Sequence, residues 1–470
     1  MNFDFLKPKL RDGRLESVLG EIERADFVRR LNEVDATYSF KHVLIQETAY
    51  ASLLRQDRRA LHRHIADSCE QLFAGQLDEY LALLAFHYDE AGETAKAVSY
   101  WMRYGERAMQ IGAYPEAIHA FKHALVLVPD VCSERARALT QLGEVFARRS
   151  DLDLAEEHFR DGLATAIAVD DARIAAMALT GVARVSSQRG EHVRARQLGQ
   201  EALRWAIDSR DQEAIARAHR QLGVAFNYEG DNAAAQTHLE MALALFRERQ
   251  DLEGVGSCLN SLGVIARDLN ELERAGILFQ EAVTLARQLG DRYATGVRLV
   301  NLGVIAEQRG DFEAAERYQN QALAITQEIG DREGSALILI NQSSLTLTRG
   351  DVQGAYEMAQ RALQTAMSLG SLGLAYYVLA FIAKIKSAQG NWIQAAEFLG
   401  LAFAHPSSTA DVKNDFQDVR AGLETKLTRR VLEEAMQRGA TRDLQAVARE
   451  LASGRAHEPA GEIAHETVAV

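Results

Sequence analysis

Three stretches carry the decisive pattern: Leu222–Ala242 (LGVAFNYEGDNAAAQTHLEMA), Leu262–Ala282 (LGVIARDLNELERAGILFQEA) and Leu302–Ala322 (LGVIAEQRGDFEAAERYQNQA). Each opens on Leu-Gly, reaches a turn pair eight positions in, and places alanine at fixed distances beyond it. The turn pairs recur at one constant interval: Gly190-Glu191, Gly230-Asp231, Asn270-Glu271, Gly310-Asp311, Gly350-Asp351 and Gly390-Asn391, with Ser150-Asp151 one step earlier. The period is forty. A small residue precedes each turn: Gly143, Ala183, Gly223, Gly263, Gly303, Ser343 and Ala383. Twelve positions later stands alanine in every copy, from Ala155 and Ala195 to Ala395, and seven beyond that Gly162, Ala202, Ala242, Ala282, Ala322, Ala362 and Ala402. A looser copy lies upstream at Gly105, Ala117 and Ala124.

Each copy reads as a helix–turn–helix unit. The small residue on the first helix and the alanines on the second mark a close crossing, where a larger side chain would force the axes apart. A spacing of seven keeps both alanines on one face of the second helix. Glycine suits a left-handed helix end, and the acid after it suits the start of the next helix.

Composition agrees. Only five prolines occur, at Pro8, Pro115, Pro129, Pro406 and Pro459, so the whole run from Asp130 to His405 lacks the main helix breaker. Lys plus Arg total 53 against 66 Asp plus Glu, a formal charge of −13, which disfavours non-specific phosphate binding. Cys69, Cys132 and Cys258 are scattered and odd in number. They form neither a disulfide framework nor a zinc motif, and they fit a reducing cytoplasm. The uncharged stretch Ala362–Ala383 is long enough to raise a membrane span, but the repeat sets a turn in its middle.

The columns resemble the tetratricopeptide repeat. That family's pattern is a small residue, an alanine twelve positions on and a second alanine seven beyond it, with an aromatic before the last alanine. Phe121, Phe159 and Phe279 match that aromatic, whereas Gly199, Gln319 and Ala359 do not. The period exceeds the family's usual one, so each helix is expected to be longer. The resemblance spans about Glu79–Ala404. It implies an all-α, right-handed superhelical solenoid of about eight to nine helix pairs.

The flanks differ. Ser17–Leu31 reads as an amphipathic helix, Thr37–His42 as a strand, and Val43–Leu54 and Arg58–Phe73 as helices. Phe40, His42, Leu44, Gln46, Glu47, Ala49, Tyr50, Leu53, Leu54, Arg59 and His62 resemble the junction between a winged helix and a repeat array in STAND-type regulators, cyclase-linked ATPases and regulators with a MalT-like repeat region. At the other end, Ala395–Gly400 and the run from Val419 to Ala452 are similar to the closing helices of such proteins, with a turn expected at Gly439. The expected division is residues 1–75 as a winged-helix-like remnant, 76–405 as the array, 406–452 as capping helices and 453–470 as a disordered tail.

No GxxxxGK[ST] occurs. The chain therefore looks like the sensory part of a larger regulator: a fragment, a truncated product or a subunit whose partner is encoded separately. His119 and His123 have the i,i+4 spacing of a two-His metal site but lack a third ligand nearby. No nucleophile–base set assembles, so no enzyme, metal or cofactor is expected.

Binding remains. On the first helices, Arg184, Arg217, Arg220, Asn227, Tyr228, Asn260, Arg267, Asn301, Gln308 and Asn341 recur on the face expected to be concave. Such groups can hydrogen-bond an extended peptide's backbone and carboxylates. The expected function is a protein-interaction scaffold or sensor of a bacterial signalling or transcriptional regulator. Its partner is a protein or peptide, with a separately encoded NTPase or output domain among the candidates. Small-ligand sensing and weak DNA binding through the basic residues His42, Arg55, Arg58, Arg59 and Arg63 are the alternatives. Homo-oligomerisation is left open.

Overall fold

The computed structural model describes residues 14–32, 37–405 and 410–453. The expected tail, apart from Ser453, and Pro8, Pro406 and Pro459 lie outside the described residues. The chain divides into two compact units, Met1–Val182 and Ala183–Val470.

The first unit begins with α1 (Arg14–Arg24), β1 (Val28–Asn32), β2 (Thr37–Phe40), α2 (Val43–Ser52) and α3 (Arg55–Leu72). The single helix expected over Ser17–Leu31 is corrected here. Asp26 adopts φ 66° and ends it, and residues 28–32 form a strand instead. That strand pairs antiparallel with β2, Val28 opposite Phe40 and Arg30 opposite Tyr38. Its apolar residues are compatible with a helical period, but the ladder with β2 supplies the backbone partners. The strand expected at Thr37 and the two helices after it are present with shifted ends.

Helix α2 is unusual, because an apolar helix this short with no buried side chain lacks the packing that normally holds such a helix. Val43 and Leu44 are 69% and 75% exposed. His62 on α3 is buried and meets Tyr50 (2.9 Å) and His87 (2.7 Å).

The unit continues through α4 (Leu81–Ala91), α5 (Thr94–Gln110), α6 (Tyr114–Leu127), α7 (Ser133–Arg148), α8 (Leu152–Ala168) and α9 (Ala172–Gln188), within which the division falls. Helices α5 and α6 pack as a pair, as do α7 and α8. Pro115 sits in the first turn of α6, where its missing N–H costs little. His119 and His123 stack around Trp101, and no group of three or more metal-ligating side chains is assembled among the described residues.

The second unit contains α10 (His192–Ser209), α11 (Gln212–Tyr228), α12 (Asn232–Glu248), α13 (Leu252–Asp268), α14 (Leu272–Leu289), α15 (Arg292–Gln308), α16 (Phe312–Glu328), α17 (Arg332–Thr348), α18 (Val352–Leu369), α19 (Leu372–Ala388) and α20 (Trp392–Ala404). From α11 to α20 the helices pack as consecutive first and second partners. Most are seventeen or eighteen residues long, so the positions beyond the usual period lengthen the helices, not the turns.

The small-residue columns do what spacing predicts. A Cβ on Gly223 would strike Leu239, and one on Gly263 would strike Phe279. Ser343 turns its hydroxyl to the Ala355 carbonyl at 2.6 Å. The column alanines from Ala155 to Ala395 are fully buried. Gly190, Gly230, Gly310, Gly350 and Gly390 all have positive φ. Asp231, Asp311 and Asp351 accept from the backbone three positions on, while Glu191, Glu271 and Asn391 make no such bond.

The array closes with α21 (Ala410–Asp415), α22 (Gln417–Glu424), α23 (Arg429–Ala440) and α24 (Leu444–Ser453). Helix α23 lies along α20, and α24 touches α18. Gly439 is not in a turn, as expected from sequence, but inside α23, against the Glu397 carbonyl. Glu397 is buried beneath Arg438 (3.0 Å) and Arg442 (3.6 Å). No described helix is long and apolar enough to cross a membrane, and Gly370 turns the chain within Ala362–Ala383.

Candidate functional site

In the second unit, successive first helices touch one another: α11 with α13, α13 with α15, α15 with α17 and α17 with α19. On α11, α13 and α15 one stripe of residues, three and four apart, stays at least partly exposed. On α11 it is Glu213, Arg217, Arg220, Val224 and Asn227; on α15 it is Tyr293, Val297, Val300, Val304 and Glu307.

Nine of the ten expected site residues stand on this series of helices, Arg184 being on α9, and several of them have partners. Asn301 on α15 donates to Asn260 on α13 at 2.9 Å. Asn227 on α11 donates to Asp268 on α13 (3.3 Å) and to Asn232 (3.1 Å). The bonds to Asn260 and Asp268 join neighbouring repeats, so three of the four asparagines hold the array together as well as lining it. Asn341, on α17, is half-buried. Arg217 pairs with Glu213 (3.0 Å), which also receives Arg249 (3.4 Å). Arg267 pairs with Asp268 at 2.8 Å. Tyr228 stacks on His192 with centroids 4.9 Å apart, yet remains half exposed. Arg184 and Arg220 are half-buried on α9 and α11, and Gln308 is exposed at the end of α15.

Sequence reasoning passed over the apolar members of the same stripe. Tyr293, Val297 and Leu337 are 44%, 42% and 45% exposed. A comparison of equivalent positions, Arg217, Ser257, Val297 and Leu337, would have found them. Glu307 was also missed. Burial pushes its carboxyl above the usual carboxylate range, although Ser344 on α17 donates to it at 3.3 Å.

Buried polar groups concentrate nearby. Arg298 is buried, with its guanidinium against Gly256 and a 2.9 Å bond to the Ala282 carbonyl; burial lowers its pKa. Gln319 stands where four other forty-residue repeats place Phe or Leu and two place Gly or Ala. It is fully buried, and neither its amide nitrogen nor its oxygen has a partner.

Comparison with known proteins agrees with this architecture. The family model described as "MalT-like TPR region" matches residues 222–437, and the tetratricopeptide repeat model matches residues 134–207 and 173–248. An uncharacterized protein of Rhizobium meliloti (strain 1021) is 29% identical over 153 residues; the match covers 30% of this chain and 14% of that protein's length. Among solved structures, a STAND protein (Signal Transduction ATPase with Numerous Domains) with a tetratricopeptide repeat sensor from Pyrococcus horikoshii is similar at a TM-score of 0.60 and 14% identity. That likeness covers 90% of this chain and 62% of that one. A Rap protein complexed with Competence and Sporulation Factor is similar at a TM-score of 0.55 and 13% identity, covering 78% and 99%. At such identities the likeness concerns the fold. Residues 134–248 are thus tetratricopeptide repeats, and residues 222–437 a MalT-like repeat region.

Proposed function

We propose that the chain is a sensor or interaction solenoid whose second unit holds an extended protein or peptide segment along the exposed stripe of its first helices. The carrying observation is that three successive first helices each place a half-buried amide at or beside the stripe, Asn227 on α11, Asn260 on α13 and Asn301 on α15, although not at equivalent positions of the repeat. An extended backbone offers donors and acceptors at regular steps, and side-chain amides can satisfy both. The fold shared with a STAND protein that has a repeat sensor supports a regulatory setting, with a separately encoded NTPase or output domain as one partner. In this reading residues 1–75 are the junction, 76–405 the array and 406–452 its cap. The three cysteines are unpaired, which suits a reducing cytoplasm.

Site-specific crosslinking tests the face. A photoreactive amino acid at Val264 or Val304, on the first helices, should give adducts in the source cells. The same group at Glu240, exposed on α12, should give none. Adducts from Glu240 alone, or equal yields from all three positions, would reject the assignment.

A further inference from the structure

The stripe changes character along the second unit, and the change is not required by the fold. Positions 217, 257, 297 and 337 are equivalent in the repeat. The solenoid accepts Arg and Ser at the first two, so packing does not demand the exposed Val297 and Leu337 at the last two. Tyr293, one turn before Val297, is also largely exposed, and Val300 and Val304 extend the same stripe. Exposed apolar side chains gathered on adjoining helices mark a surface that something covers. Two first helices away, on α11, the stripe carries two arginines and one glutamate. Glu213 is shared by Arg217 and Arg249, and Arg220 lies one turn beyond Arg217.

We infer that the ligand of this face is an extended peptide with two anchors: an aliphatic or aromatic side chain on Tyr293, Val297 and Leu337, and a carboxylate at Arg217 and Arg220. This deepens the reading above and rests on it. Packed helices lie about 8–10 Å apart, so the two places are separated by about 20 Å. An extended chain advances about 3.3 Å per residue, which puts the anchors about six residues apart. The apolar anchor supplies burial, and the carboxylate can take a forked pair of bonds from an arginine, which fixes the register of the peptide.

The probe is a displayed library of random dodecapeptides, selected on the immobilised full-length chain. Enriched sequences should carry Asp or Glu at about that spacing from Leu, Ile, Val or Phe. A synthetic copy should lose at least tenfold in affinity with V297S/L337S, and at least tenfold with R217E/R220E. V297I, which keeps the apolar surface, should bind as the parent does. All of these side chains are at least partly exposed, and unchanged circular dichroism and melting confirm that each variant folds. If peptides are enriched but ignore V297S/L337S, or lack the paired anchors, the groove stands and this inference falls. If no peptide is enriched, both fall.

Discussion

The imidazoles of His219 and His238 meet Nδ1 to Nδ1 at 2.8 Å. One ring must donate and the other accept, so the pair cannot hold two protonated rings in this geometry. Burial, and then the charge of His238, push the His219 pKa down to about 4 from 6.5. Between those values the unfolded chain binds more protons than the folded one, so stability falls as pH drops from about 6.5 towards 4 and is fully present above that window. One pKa unit corresponds to about 1.4 kcal/mol, so the loss should be on the order of 2–3 kcal/mol. Urea unfolding at pH 7.5 and pH 5 should show the decline. An H219L/H238L variant should decline less, but not be flat, since His87 in the first unit is also pushed down to about 4 by burial. Equal slopes in parent and variant would refute the role of the pair.

Gln319 should be a weak point that is easily repaired. Its amide is fully buried without partners, which costs about 1–3 kcal/mol, and equivalent positions carry Leu239, Phe279 and Leu399. Gln319→Leu is expected to stabilise the second unit by about that amount. Hydrogen exchange should slow in α15 and α16 above all. Faster exchange there would mean that the amide is satisfied by a group such as a buried water.

The closing helices depend on two glycines. A Cβ on Gly400 would overlap the Met436 carbonyl, and one on Gly439 the Glu397 carbonyl, so α20 and α23 cross with their backbones in contact. Gly439→Ala should cost at least about 1–3 kcal/mol, because backbone, unlike a side-chain tip, cannot step aside. Limited proteolysis should then cut between residues 405 and 453 before the array is touched. A variant as resistant as the parent would show that the crossing tolerates a methyl group.

Turn residues offer a gain. Arg210 and Gln250 hold φ of 55° and 56°, where a side chain is strained, while the equivalent Gly290, Gly330 and Gly370 are not. Arg210→Gly and Gln250→Gly should each raise stability by about 0.5 kcal/mol, the relief of strain exceeding the added freedom of the unfolded chain. Gly290→Gln should do the reverse. Denaturant midpoints measured in one buffer decide both.

The helix pairs were legible in the sequence because their crossing demands small residues at fixed places, as Gly223, Ala235 and Ala242 display. Other features were hidden for definite reasons. Val28–Asn32 contains residues compatible with a helix, and only its pairing partner makes it a strand. Gly439 looks like a turn residue until the helix beside it is known. Val297 and Leu337 sit among core aliphatics, and in a helix of that composition a period of 3.6 does not single out which valine faces outward. The polar stripe was visible, but the bonds between Asn260 and Asn301, and between Asn227 and Asp268, join positions 41 apart and depend on how the repeats stack.

The left-handed residues at 150, 170, 190 and onward to 390 come at every twentieth position, so both turns of the repeating unit are built alike. An exchange of segments between such turns meets the same backbone on either side. Loss or gain of a whole unit leaves each remaining helix in its own role. Loss or gain of half a unit converts first helices into second ones downstream, burying the stripe and exposing the alanine faces. The length of the stripe can therefore change by helix pairs, through recombination among similar junctions, without new turn chemistry having to arise.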